Sequence, residues 1–239
     1  MKLIKKLWML ALLLPALAVA NEGGAHLDKA PGSLKDQASL QRGAQFFIAN
    51  CLACHSASYM RYNRLADIGL SEDEIKKLLP EGSKPGSTMK AVMDAESAKA
   101  AFGVTPPDLS VEARARGVDW LYSYLRSFYV DTSRPSGANN LVFPNVGMPN
   151  VLGGYQGDQA LEIEKHEGHE VKKLKLTSPG SLSTAQFDAT VGDLVNYLDF
   201  MSEPAKLVRF KLGYIVIGFL FVLLFLAYLL KKEFWKDVH

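Results

Sequence analysis

The chain has 239 residues, 27 lysines and arginines against 25 acidic residues, a formal net charge of +2, and only two cysteines. Two cysteines exclude a disulfide scaffold, and the length allows one sizeable core. The near-neutral total conceals a partition: Asn21 to Ala205 carries 18 basic against 23 acidic residues, a net of −5, and the positive excess lies at the two ends. An acidic central domain argues against nucleic acid as a partner and suits either plain solubility or a basic protein partner.

From the N-terminus, Lys2, Lys5 and Lys6 precede an apolar run from Leu7 to Leu14 and then Ala18-Val19-Ala20. This is the pattern of a secretory signal with an A-x-A cleavage site, so residues 1–20 are expected to be removed. Residues 21–205 are expected to form one exported domain without an internal repeat. Within it, Leu40, Ala44, Phe47 and Ile48 share one stripe, which predicts a helix over Ser39 to Asn50. That helix ends at Cys51-Leu52-Ala53-Cys54-His55.

C-x-x-C-H is the spacing of covalent haem attachment. Two thiols three positions apart can each add to a vinyl group of one porphyrin, and the next residue then lies beneath the iron, which makes His55 the proximal ligand. A redox dithiol is the competing reading, but it wants a βαβ setting and a cysteine near a helix start. Zinc lacks a fourth ligand, since one cysteine pair and one nearby histidine supply three. Covalent haem also agrees with export, and it consumes both thiols.

Further along, Ser71-Glu72-Asp73-Glu74 is a capping box opening a short helix that stops at Pro80. Pro80 to Ser87 reads as a Pro/Gly loop, and Asp94 to Phe102 as a short helix closed by Gly103. Trp120, Leu121, Tyr124, Leu125 and Phe128 have helical spacing and predict a helix over Val118 to Tyr129. Ala160 to Thr177 alternates in part around Gly168, which predicts a surface hairpin. His166 and His169 near its turn read as solvated polar residues rather than a ligand pair.

Ser183 and Gln186 cap the last helix of the domain, whose Phe187, Val191, Leu194, Val195 and Leu198 face the core. Glu203-Pro204 breaks the chain before Leu212 to Leu230, nineteen residues without a charge, close to the roughly 20 that span a bilayer core. Residues 206–230 therefore read as a transmembrane anchor with its basic flank, and 231–239 as a tail. Lysines and arginines on both flanks leave orientation open, and the signal peptide places the domain outside and the tail in the cytoplasm.

The methionines decide what a haem could do. An open sixth position serves gas binding or peroxidase work, and a filled one serves electron transfer. Met1 and Met9 leave with the signal, Met60 lies too near His55, and Met201 belongs to the membrane-proximal helix. Met89 and Met93 have core packing as their ordinary explanation. Met148 sits in Phe143-Pro144-Asn145-Val146-Gly147-Met148-Pro149-Asn150, a loop stiffened by two prolines, and is the candidate sixth ligand.

These residues resemble the cytochrome c1 family of the quinol:cytochrome c oxidoreductase (bc1) complex. The resemblance is carried by Cys51-Leu52-Ala53-Cys54-His55-Ser56, Tyr62 to Leu65, Pro106-Pro107-Asp108-Leu109-Ser110, Arg114-Ala115-Arg116, Gly147-Met148-Pro149, Asp193-Leu194-Val195, and Glu203-Pro204 before a C-terminal anchor. It implies a mainly α, class I-type c-type cytochrome domain with long loops and a small β-hairpin, plus one C-terminal transmembrane helix. It implies one covalent haem c on Cys51 and Cys54, with His55 and Met148 on the iron, Pro106 and Pro107 lining the crevice, and Arg114 facing a propionate. Taken alone, Arg114 and Arg116 are solvated helix charges.

The implied role is outer-sphere electron transfer from the Rieske iron–sulfur protein to a cytochrome c, beside cytochrome b, in a dimeric complex at the bacterial inner membrane, with the domain periplasmic. The chain would be an electron-transfer subunit, with no catalytic residue of its own. Trp120 falls where the family leads one to expect a tyrosine near the haem, which puts a phenol role there in doubt. The extra cysteine pair of some relatives is missing, and the loop between Arg134 and Met148 is short. The alternatives are another tail-anchored cytochrome, such as an oxidase subunit, or a haem sensor or peroxidase with an open iron.

Overall fold

The computed structural model describes residues 26–166 and 169–237. The expected signal, the turn of the hairpin and His239 lie outside the described residues.

Helix α1 (Gln37–Asn50) starts where Asp36 accepts a hydrogen bond from the Ser39 amide at 3.0 Å, and it buries Leu40, Ala44 and Phe47. Past the Cys51–His55 segment come β1 (Ala57–Arg61) and a 3₁₀ turn over Tyr62–Ile68. Helix α2 (Glu72–Lys77) opens with the expected capping box, in which the side chains and amides of Ser71 and Glu74 bond reciprocally. The Pro/Gly loop then leads into β2 (Thr88–Met89). Helix α3 (Ala95–Phe102) is capped by the Asp94 carboxylate and closed by Gly103 in the left-handed conformation at φ 75°.

Two short helices, α4 (Glu112–Arg116) and α5 (Val118–Arg126), follow one another across Gly117. The expected helix over Val118 to Tyr129 thus ends three residues early. Phe128 and Tyr129 instead belong to β3 (Phe128–Val130), which pairs antiparallel with β4 (Ala138–Asn140) in the register Phe128↔Asn140, Tyr129↔Asn139 and Val130↔Ala138. The helix is stopped by its own C-cap residue together with one side chain from far along the sequence. Asn140 Nδ2 donates to the Tyr124 carbonyl at 2.8 Å, and Ser127 Oγ bonds to the same carbonyl and to Asn140 Oδ1. These bonds satisfy helix-end groups that another turn would otherwise take.

A single turn, α6 (Gly153–Gln156), leads into the hairpin β5 (Gly157–His166) and β6 (His169–Pro179), with Leu161↔Leu174 and His166↔His169 in register. Its base is fixed to the domain by Gln159, whose amide donates to the Arg126 and Phe128 carbonyls at 2.9 and 2.8 Å. One outer face carries the cross-strand pairs Lys173–Glu164 (2.6 Å) and Lys175–Glu162 (3.0 Å). The described residues thus hold three separate two-stranded antiparallel sheets, β1–β2, β3–β4 and β5–β6. Only the last was expected.

The core is the crossing of α1 with α7 (Thr184–Ser202), the second helix with a complete capping box, here from Ser183 and Gln186. Leu40, Ala44 and Phe47 meet Val191, Leu194 and Tyr197, all at most 1% exposed. Gly43 makes the crossing close: a Cβ there would sit 2.0 Å from the Asp193 carbonyl oxygen. Beside it, Arg42 forks onto the Asp193 carboxylate at 2.6 and 3.0 Å. Arg126 does the same between α5 and α7, onto Asp188 at 2.6 and 3.1 Å, while also reaching Asp28 at 2.7 Å.

Beyond Glu203-Pro204, α8 (Lys206–Phe234) runs for 29 residues and buries none of them. It is the one described helix long and apolar enough to cross a membrane.

Candidate haem site

Cys51 is the C-cap of α1, and its amide bonds to the Phe47 carbonyl at 2.8 Å. The chain then winds one further tight turn, with the Cys54 and His55 amides both donating to the Cys51 carbonyl at 3.1 and 2.9 Å. Two half-buried, unpaired thiols and an imidazole therefore share one turn. Burial pushes the Cys51 thiol up to about 12, with Cys54 adding to the shift. An attacking redox thiol needs the reverse, a depressed value of the kind found at a helix N-terminus, and Cys51 stands at the opposite end. Among the described residues no group of three His, Cys, Asp or Glu side chains is placed to hold a free metal ion.

His55 Nδ1 lies 2.8 Å from the Pro107 carbonyl oxygen. A carbonyl can only accept, so Nδ1 carries the proton and Nε2 keeps its lone pair for a metal. Burial, the largest influence on this ring, lowers its pKa against the opposing Pro107 bond and leaves it neutral.

The Pro106 to Ser110 strap is knotted to the motif at several further points. The Leu109 amide donates to the Ser56 carbonyl at 2.8 Å. Asp108 accepts from the Ser58 and Ser110 amides at 3.0 and 2.8 Å, and Ser110 Oγ accepts from the Tyr59 amide at 3.0 Å. Burial raises the Asp108 pKa, but hydrogen bonds from Ser110 and Ser58 outweigh it and hold the carboxyl below its usual range. Each polar residue of the Pro106–Ser110 motif thus has a bond to make.

Met148 lies on a loop clamped by two buried asparagines. Asn139 Oδ1 accepts from the Asn145 amide at 2.8 Å, and Asn140 Oδ1 from the Val142 and Phe143 amides at 2.9 and 3.0 Å. Asn145 takes the left-handed conformation at φ 63°, which asparagine tolerates. Gly147 abuts the segment leading into the strap, since a Cβ there would lie 2.6 Å from Val104 Cγ2. The loop bearing Met148 is therefore packed against Val104, two residues before the strap that holds His55.

The other methionines sort cleanly. Met60, Met89 and Met201 are at most 4% exposed in the core, and Met89 is on β2, with the Tyr197 hydroxyl 3.6 Å from its sulfur. Met93 is half-buried, with its amide bonded to the Ala53 carbonyl at 3.0 Å within the cysteine turn.

Three residues without an assigned role complete the site: Tyr124, Asn139 and Asn140. The Tyr124 hydroxyl donates to Met148 Sδ at 3.3 Å. Burial pushes its pKa up, against the pull of Arg116, so it stays a donor at neutral pH. Its ring stacks on Trp120, centroids 4.9 Å apart and 9° from parallel. Arg116 is no plain solvated charge: it pairs with Glu112 at 3.1 Å and lies over the Trp120 and Phe143 rings at 4.8 and 5.5 Å. Arg114, in contrast, is exposed and has no side-chain hydrogen bond or ion pair among the described residues. The asparagines act only once β4 is paired, so no local signal announced them.

Two thiols on one turn, an imidazole with Nε2 free and a thioether on a clamped loop fit a covalently attached haem of the kind c-type cytochromes carry. Residues 28–156 match the Cytochrome C1 family. The chain is similar to the ammonia monooxygenase gamma subunit of Nitrosomonas europaea, 50% identical over the whole of both chains. It is 49% identical to cytochrome c1 of Allochromatium vinosum over 95% of this chain and 96% of that one. Cytochrome c1 of Rhodospirillum rubrum is 31% identical over 92% of each. The chain belongs to the cytochrome c1 family, whose members are membrane-anchored c-type cytochrome subunits of the bc1 complex in respiratory electron transport and carry covalently bound haem c.

Proposed function

We propose that this chain accepts electrons one at a time from the Rieske iron–sulfur protein and delivers them to a cytochrome c. Cys51 and Cys54 would hold one haem c by thioether links, and His55 and Met148 would ligate its iron. When bound, the haem supplies a one-electron couple at its iron. The observation that carries the His55 assignment is its bond to Pro107, which fixes the tautomer and leaves the Nε2 lone pair available to a metal.

The chain's residues hold this site still. Pro107 orients His55, Pro106 and Pro107 line the crevice, and the Asn139–Asn140 clamp keeps the Met148 thioether in place through both oxidation states. The unpaired guanidinium of Arg114 would face a propionate and neutralise it. Residues 1–20 are a cleaved signal, 21–205 the periplasmic haem domain, 206–230 the anchor with its basic flank and 231–239 the cytoplasmic tail. The complex is dimeric, contains cytochrome b and sits in the bacterial inner membrane. The net charge of −5 over 21–205 steers a basic acceptor, an effect that weakens as salt rises.

A second reading comes from the name of the Nitrosomonas relative: the same haem domain serving a monooxygenase. One preparation separates the two. Tagged full-length chain, extracted from membranes in mild detergent, is expected to bring down a b-type cytochrome and an iron–sulfur protein, with quinol:cytochrome c reductase activity that His55→Ala abolishes. Recovery of monooxygenase subunits without reductase activity would favour the second reading.

A further inference from the structure

The Tyr124 hydroxyl has one hydrogen-bond partner among the described residues, the Met148 sulfur at 3.3 Å. A thioether has no proton to give, so the phenol is the donor and the sulfur the acceptor. The ring that aims this proton is fixed from three sides. Trp120 stacks on it at 4.9 Å, the Phe128 ring meets it edge-on at 5.3 Å, and Asn140 Nδ2 ties down its carbonyl at 2.8 Å.

A thioether sulfur has two lone pairs. If one binds iron, the other is free to accept Tyr124, and accepting it draws electron density away from the metal. A weaker sulfur donor favours the reduced iron over the more highly charged oxidised iron. We infer that Tyr124 is a positioning residue that raises the haem's reduction potential through its hydrogen bond to Met148, an inference that rests on Met148 being the sixth ligand. Tyr197 and Met89 form an internal control: the same pair of side chains at 3.6 Å, both fully buried in the core.

The test is a redox titration of the full-length holoprotein in its detergent-extracted complex, with optical spectra recorded for each variant. Tyr124→Phe keeps the stacked ring and removes only the hydroxyl. It is expected to stay low-spin, to keep the weak far-red sulfur-to-iron band, and to raise the ratio of oxidised to reduced haem at fixed ambient potential by about two- to tenfold, the range set by one net hydrogen bond. Tyr197→Phe is expected to leave that ratio unchanged. Should Tyr124→Phe not assemble, Trp120→Phe loosens the stack while sparing the hydroxyl and shifts the ratio the same way by less. An unchanged ratio in Tyr124→Phe, while Met148→Leu turns the haem high-spin, overturns this inference and leaves the ligand assignment standing. An unchanged spectrum in Met148→Leu overturns both.

Discussion

At the scale of single residues, the site is built from backbone groups held by side chains. Pro107 can give His55 its carbonyl because Asp108, next along the chain, anchors the strap to Ser58 and Ser110. Those bonds depress the Asp108 carboxyl in the folded protein, so it contributes stability that is complete above its unfolded value of about 3.9 and is lost as pH falls through the lower folded value. Thermal melts between neutral pH and about pH 2 are therefore expected to show an acid decline that is shallower in Asp108→Asn, because that variant has no carboxyl to titrate. An identical decline in both proteins would remove Asp108 from the account. The Pro106–Ser110 motif was legible in the sequence only as a family pattern. Its physical reason, one bond for each polar group, needs the motif and the strap side by side.

At the scale of elements, legibility tracked how local the cause is. Helices α2, α3 and α7 announce themselves because Ser71, Asp94 and Ser183 cap them from within three residues. The end of α5 is set by Asn140, sixteen residues beyond the Tyr124 carbonyl it holds, while Phe128 continued the helical spacing, so the sequence pattern overran. The pairs β1–β2 and β3–β4 are short and depend on partners far along the chain. Gly43 is equally silent in sequence, yet it decides how closely α1 and α7 approach. Gly43→Ala drives a methyl group into the Asp193 carbonyl at a crossing with no slack, and is expected to cost about 1–3 kcal/mol. Denaturant titration of the detergent-solubilised chain reads this directly, and a wild-type midpoint would show that the helices can part without loss.

At the scale of the whole molecule, charge and apolar surface are sorted by region. The acidic domain is followed by a 29-residue helix with no buried residue, whose exposed Leu, Ile, Val and Phe side chains match lipid rather than water. The chain is thus a membrane-held domain, and the proposed function requires that His55 and Met148 close the iron's donor set from two loops. The most direct test is the optical spectrum of the full-length holoprotein, oxidised and reduced, with and without carbon monoxide, for wild type and Met148→Leu. Wild type is expected to give a low-spin c-type spectrum, indifferent to carbon monoxide, and the variant a high-spin, carbon monoxide-binding form. A wild type that binds carbon monoxide readily, or a variant indistinguishable from it, would contradict the account.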